Sequence, residues 1–355
     1  MFESISIYEG IGLFALGYFF AFLPAYLVLS RAKSTWVTAI CFVPLFALVM
    51  VLPLLIPNTE GAIFNKLLRF FLFLPLYNFV LRNIDLAVQR KNSPDEPFTF
   101  KYYLNFISTG FGTQDAPTGK PKPDFKGGFT YLGGALWDIG CGCFFIFLNT
   151  YLRTEEWNYP FSIISKVGYM YWFASGMANL NFSYCRFTGK DVSAIYHAPI
   201  RALSPEDFWS NRLNLYIRGY LLRFVYLPIG GPKRPGIGIL ATFMVSGMIH
   251  EYQFDCASMD PAGFGWVFLY FNMHGLAVMT EQKLKRYFRR NHKAFYQKAS
   301  QSPAMPFVFV PIHCLWQLFT GAIGYMSFDK IVNLHQIGFV QNFLASLPLP
   351  PFPPI

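Results

Sequence analysis

Charge is the scarcest property of this sequence. Only 14% of its 355 residues are Asp, Glu, Lys or Arg, against 54% hydrophobic, and the mean hydropathy is +0.33. Soluble domains carry about 25% charged residues, so a chain built only of water-soluble domains is excluded. Metal-ligand spacing is also lacking. The six cysteines form no C-x-x-C pair, and Cys141-Gly142-Cys143 is too short for common zinc spacings. The expected state is reduced, buried thiols. The six histidines (197, 250, 274, 292, 313, 335) come no closer than 18 residues. None therefore sit on adjacent helical turns, which removes a di-iron desaturase or hydroxylase and leaves no metal site to expect. A G-x-S-G block is missing, which weighs against an intramembrane serine protease using Ser246 or Ser175. No repeat of 20–50 residues is visible. The first apolar run follows Glu3 and Glu9 rather than a basic leader, so 11–30 is expected to be a retained span.

Long apolar runs are plentiful. The expected class is all-α, a polytopic membrane helical protein with about eight or nine spans. Candidates are 11–30, 36–57, 62–81, 132–152, 160–181, 236–256, 262–281, 304–326 and 331–347, within a single membrane-embedded domain. Pro24, Pro44, Pro53 and Pro75 lie inside apolar runs, where neighbouring helices can satisfy the freed carbonyls. Residues 82–131 read as a long polar loop with interfacial pieces, marked by five prolines and Gly127-Gly128. Residues 282–303 carry seven basic residues and no acid, and read as a basic cytoplasmic loop. The net charge of +10 arises from such connections. It signals topology and contact with anionic membrane lipids, not nucleic-acid binding.

The segment 191–256 stands apart. Ser204-Pro205-Glu206-Asp207 has the form of a helix start, with a Ser cap, Pro at the first position and acids in the first turn. In the helix expected to follow, Asn211, Asn214 and Arg218 share one face, a polar stripe that is costly among membrane helices unless it lines a cavity. Thirty-six residues after Asn214, His250 and Glu251 end the run Ala241–Ile249, with Ser246 on the same face as His250. A histidine there needs a partner or a watered cavity. Imidazole has the proton affinity to act on a hydroxyl, and a helix-packing histidine bonded to a carbonyl is the alternative.

Phe208-Trp209-Ser210-Asn211-Arg212-Leu213-Asn214-Leu215, followed by Val245-Ser246-Gly247-Met248-Ile249-His250-Glu251, resembles the membrane-bound O-acyltransferase superfamily and, within it, the wax synthase branch. Tyr196-His197-Ala198-Pro199 and Asp207 add to the likeness, which is tight over about 191–256. It implies His250 as the catalytic histidine and Asn214 as its partner. The reaction implied is acyl-CoA-dependent esterification of a hydrophobic alcohol, a long-chain alcohol first and a sterol or terpenoid alcohol next. The partners are then acyl-CoA as co-substrate, the alcohol and membrane lipids, with no permanently bound cofactor. A multi-pass location, in the endoplasmic reticulum membrane, goes with it. Coenzyme A phosphates make Arg212, Arg218, Arg223, Lys233 and Arg234 candidate contacts. Phe208 and Trp209 are candidates for the acyl tunnel, and Ser246 and Glu251 for support of the site. Leu213 stands where the family has Trp, and Ser210 and Asn211 where Gly and Arg are common; these departures bear on substrate fit rather than reaction type. Two rivals of another class stay open: a non-catalytic scaffold subunit of the same fold, and a transporter using buried His250, Asn214, Asp138 and Lys166. Oligomeric state is not encoded in the sequence.

Overall fold

The computed structural model describes residues 6–31, 35–57, 63–92, 98–108, 122–152, 159–189, 195–258 and 264–328. They are helical, with no strand among them. The expected span 331–347 lies outside them, as do 93–97 and 109–121 of the expected polar loop. The chain divides into two compact units. One comprises 1–110 with 253–261 and 330–346; the other holds 111–252, 262–329 and 347–355.

The first unit contains α1 (Ile7–Arg31), α2 (Thr35–Val51), α3 (Ile63–Asn92) and α4 (Phe100–Ser108). Pro53 ends α2 in a short 3₁₀ turn, Leu52–Leu55, because it has no N–H to continue the α-helix. Pro24, Pro44 and Pro75 remain inside helices. The core is aromatic: Phe79 and Tyr103 are fully buried, and Tyr103 donates to Asn83 Oδ1 at 3.2 Å. On the outer faces of α1 and α2, Phe19 is 71% exposed and Ile40 69%. In water each such side chain would forfeit about 1.5–3 kcal/mol of burial, so these faces suit lipid.

The second unit opens with two long helices, α5 (Phe125–Leu152) and α6 (Tyr159–Phe187). They approach over small residues, as in many membrane helix pairs; a Cβ on Gly142 would come within 3.0 Å of the Phe173 ring. Asp138 is buried here and accepts from Ser175 Oγ at 2.6 Å and Asn179 Nδ2 at 2.8 Å. Three short helices follow, α7 (Pro205–Asp207), α8 (Leu215–Leu221) and α9 (Leu227–Ile229). The long α10 (Pro235–Ser258), as far as Tyr252, with α11 (Trp266–Asn291), the short α12 (Lys293–Ser300) and α13 (Met305–Phe328), completes it.

Among the described residues, three helical stretches are long and apolar enough to cross a membrane: Ile7–Arg31, Leu68–Gln89 and Phe125–Leu148. Ile40–Leu55 and Met305–Gly321 are shorter apolar helices. Helices also cover the expected spans 160–181 and 236–256, and 262–281 from Trp266 onward. Two expectations change. The basic stretch 282–303 is largely helical, formed by the end of α11 and by α12, and the polar stretch from 82 begins with eleven residues of α3. Strong helix formers, Lys, Arg, Gln and Leu, fill both, and charge alone does not break a helix. The thiols are not uniformly buried either: Cys185 is, but Cys41 and Cys143 are exposed on α2 and α5, whose apolar faces point outward.

Candidate active site

The helix start at Ser204 forms as its residues dictate. Ser204 Oγ accepts from the Asp207 amide at 3.2 Å, with Pro205 at the first helical position. The single continuing helix expected after it does not form. Phe208–Arg212 is one π-turn, closed by Leu213 N–H donating to Phe208 O at 2.9 Å. Leu213 is then extended, and Asn214 is left-handed (φ 43°, ψ 54°) before α8 begins. Tertiary pairing overrides the local helical pattern: His197 N–H donates to Arg212 O at 2.8 Å and Leu215 N–H to Ile195 O at 2.9 Å. Asn211, Asn214 and Arg218 are therefore not a stripe on one helix. They nevertheless line one cavity. π-turns concentrate at functional sites because they re-aim side chains.

That cavity measures about 1630 Å³. It is large enough for a ligand far longer than a typical small molecule, whose sites run about 300–1,000 Å³. Of the residues singled out by sequence, it brings together Trp209, Asn214, Arg218, Ser246 and His250. His250 Nδ1 meets the Ser246 carbonyl at 2.8 Å. A carbonyl only accepts, so Nδ1 carries the proton and Nε2 keeps its lone pair. Nε2 has no protein partner among the described residues, and the ring stacks on Phe271 at 4.4 Å between centroids. The ring is thereby held in one tautomer. Asn214 Oδ1 caps α8, accepting from Ile217 N–H at 3.4 Å. The amide Nδ2 is thereby left as a donor, and both Asn214 and His250 line the same cavity.

The other sequence candidates have structural engagements. Glu251 is 4% exposed, and its two oxygens accept from Gly265 N–H at 2.7 Å and Phe268 N–H at 2.6 Å. It caps the N-terminus of α11, where a carboxylate also meets the positive end of the helix dipole. Arg212 Nε donates to Asp207 Oδ2 at 2.6 Å, and its Nη1 reaches the carbonyls of His197 and Ala198. Burial raises the Asp207 carboxyl, but hydrogen bonds from Arg212, Leu203 N–H and Asn211 outweigh it and hold the group below its ordinary range. Arg223 is exposed over the rings of Tyr220 and Phe224. Lys233 and Arg234 lie exposed in the turn before α10. Phe208, Arg212, Glu251, Arg223, Lys233 and Arg234 do not line the cavity.

Sequence reasoning missed two histidines and a polar rim. His274 is fully buried; its Nδ1 accepts from Trp209 Nε1 at 3.0 Å and its Nε2 meets Thr320 Oγ1 at 3.0 Å. Both ring nitrogens are engaged, so His274 positions Trp209 as part of the wall. His313, on α13, lines the cavity, and its ring lies 5.2 Å from that of Phe208. At the rim, Glu206 accepts from Gln282 Nε2 at 2.8 Å and from Lys285 Nζ at 2.7 Å. Lys285 also pairs with Glu281 at 2.6 Å. Burial lowers the Lys285 ammonium, but the two carboxylates outweigh it and raise it. A lone histidine in an apolar run carries no sequence signal for any of this. Among the described residues no three His, Cys, Asp or Glu side chains group as a metal site would require.

No family model matches the chain. Curated relatives do. The chain is similar to probable long-chain-alcohol O-fatty-acyltransferase 7 of Arabidopsis thaliana, 28% identical over 170 residues, 44% of this chain and 48% of the relative. It is similar to probable long-chain-alcohol O-fatty-acyltransferase 1 of the same plant, 30% identical over 116 residues, 30% of this chain and 34% of the relative. A third, probable long-chain-alcohol O-fatty-acyltransferase 3, is 32% identical over 108 residues, 28% of this chain and 31% of the relative. The chain thus spans from about a third to about half the length of the curated relatives it matches. These names bear out the resemblance to the wax synthase branch carried by the Phe208–Leu215 and Val245–Glu251 motifs.

Proposed function

We propose that the chain is an acyl-CoA-dependent O-acyltransferase that esterifies a hydrophobic alcohol, a long-chain fatty alcohol first among them, with His250 as general base. One observation carries the reading: His250, with its proton fixed on Nδ1 by the Ser246 carbonyl, lines a large, mostly apolar cavity that Asn214 also lines. The similarity to proteins named as long-chain-alcohol O-fatty-acyltransferases supports the same chemistry. In this reading the chain is a multi-pass protein of about eight or nine spans in the endoplasmic reticulum membrane.

The steps follow from the side chains. Nε2 of His250 takes the proton of the alcohol as its oxygen attacks the thioester carbonyl. The Nδ1–H bond to Ser246 O steadies the imidazolium that forms. Asn214 Nδ2 donates to the oxygen on which charge develops, a role worth roughly 10²–10³ in rate at comparable sites. The carbon–sulfur bond then breaks, the ester is released, and the His250 proton passes to the departing coenzyme A thiolate. No covalent acyl-enzyme is needed. The apolar wall, with Trp209, Phe243 and Phe271 among its members, holds the hydrocarbon chains. Arg218, exposed at the cavity, offers a cation to the donor's phosphates.

The test supplies membranes containing the full chain with labelled acyl-CoA and a panel of alcohols: long-chain alkanol, sterol, terpenoid alcohol and diacylglycerol. Labelled ester from the alkanol is the expected product. Absence of ester from every alcohol would overturn the reading in favour of a scaffold, or of a transporter if reconstituted vesicles showed flux without acyl-CoA.

A further inference from the structure

A histidine behind the cavity wall holds two of the wall's indoles on one atom. His274 is fully buried on α11, and Trp209 Nε1 and Trp316 Nε1 both donate to its Nδ1, at 3.0 and 3.4 Å. An indole N–H only donates, so Nδ1 accepts and carries no proton. The ring proton therefore sits on Nε2, where it donates to Thr320 Oγ1 at 3.0 Å. The Thr320 hydroxyl donates in turn to the Trp316 carbonyl at 2.8 Å, and a carbonyl only accepts. Each proton in this relay is placed by a partner that has one role open to it. A phenylalanine would fill the same site without the cost of burying an imidazole among apolar helices. What the imidazole adds is direction, because a satisfied buried network selects one arrangement of the groups it joins.

Trp209 and Trp316 both line the cavity, one from the π-turn Phe208–Arg212 and the other from α13. Of the two, Trp209 stands beside the base. Its ring packs on that of Phe271 at 5.4 Å between centroids, and His250 stacks on the same ring at 4.4 Å. The indole is therefore one ring away from the imidazole that meets the alcohol hydroxyl. Phe208, Phe243 and His274 also close around it, at 5.2, 5.5 and 5.4 Å. Enclosed by rings and anchored through its N–H, it presents a fixed surface to the first carbons of an alcohol bound at His250. Without an acceptor at His274 the enclosed N–H must find another, since buried donors are seldom left unpaired. The indole then turns, and the surface beside those first carbons changes, while carbons farther along the chain meet other parts of the wall.

We propose that His274 is a positioning residue for substrate selection: by holding the Trp209 indole it makes the site select alcohols that are unbranched near the hydroxyl. This rests on the acyltransferase reading above. The experiment uses the full chain in membranes with palmitoyl-CoA and three primary alcohols of equal carbon count: hexadecanol, an isomer with a methyl branch beside the carbinol carbon, and an isomer branched at the tail. Wild type should favour hexadecanol over the near-branched isomer roughly 10-fold or more in kcat/KM, the scale of one misfitting methyl group. His274→Phe fills the site but removes the acceptor. It should lower that preference about 3- to 10-fold, the scale of one neutral hydrogen bond, with a smaller loss on hexadecanol itself and no change in the preference against the tail-branched isomer. His274→Asn, whose amide oxygen can stand at the Nδ1 position, should keep most of the preference. In a Trp209→Phe background His274→Phe should change the preference no further, because residues acting through one contact are non-additive. A wild type indifferent to the near branch, an undiminished preference in His274→Phe, equal losses on all three alcohols, an asparagine variant no better than phenylalanine, or a full further effect in the Trp209→Phe background would each overturn the proposal. Thr320→Val, which leaves the Nε2–H without its acceptor, decides in its place if His274→Phe does not fold. Wild-type chain that forms no ester from any alcohol overturns the acyltransferase reading and this proposal with it; active wild type with any of the contrary results overturns the proposal alone.

Discussion

Glu251 follows His250 directly in sequence, which invites a role in tuning it, yet its carboxylate is spent on α11. Replacing it with Gln separates the two roles. Gln can accept one of the two N–H groups through its carbonyl, but its NH₂ then faces the second N–H. Losing one charge-assisted bond costs about 1.5–3 kcal/mol, and losing the charge at the helix terminus about 0.3–1 kcal/mol more. The sum is about 2–4 kcal/mol, or a fall in Tm of roughly 5–15 °C for a folded body of some 200 residues. The assay is thermal unfolding of purified Glu251→Gln in detergent beside ester synthesis by the same sample at low temperature. The expected result is a large loss of Tm with most of kcat retained in the folded fraction. Unchanged Tm with abolished kcat would refute the capping account and make Glu251 a partner of His250.

Three further outcomes are expected. Asn214→Gly should fold, since glycine accepts the left-handed backbone and costs a helix cap only a few tenths of a kcal/mol, while ester synthesis falls roughly 10²–10³-fold; Asn214→Ala should lose stability as well, which differential scanning of both variants would show. Asp207 contributes stability that is full above the ordinary carboxylate pKa of 3.8 and is lost as pH falls through its lower folded value. An Asp207→Asn variant should therefore show a shallower loss of stability below about pH 4 than wild type. Trp209→Phe removes the indole N–H from His274 and should alter the preferred alcohol or acyl chain length more than the rate on the best substrate, measured with chain-length series.

The sequence carried much of the local chemistry and little of the tertiary arrangement. Ser204-Pro205 announced a helix start because capping is a matter of a few adjacent residues. The break at Leu213-Asn214 was not legible, because it is imposed by Ile195 and His197, whose contribution comes through space. The same holds for Glu251: its position after His250 suggested partnership with its neighbour, whereas its contacts are Gly265 and Phe268. Arg212, a plausible phosphate ligand by charge, is occupied by Asp207 and two carbonyls. His274 and His313 looked alike as single histidines in apolar runs. Only the surrounding donors and acceptors mark His274 as the ring bonded at both nitrogens.

The central claim, that His250 is the base for ester formation, is tested most directly by single-turnover transfer from labelled acyl-CoA to a long-chain alcohol, comparing wild type with His250→Ala at matched amounts of folded protein. The account predicts a rate roughly 10²–10⁴ lower in the variant, with acyl-CoA still bound. Ester formed at the wild-type rate by His250→Ala would contradict it.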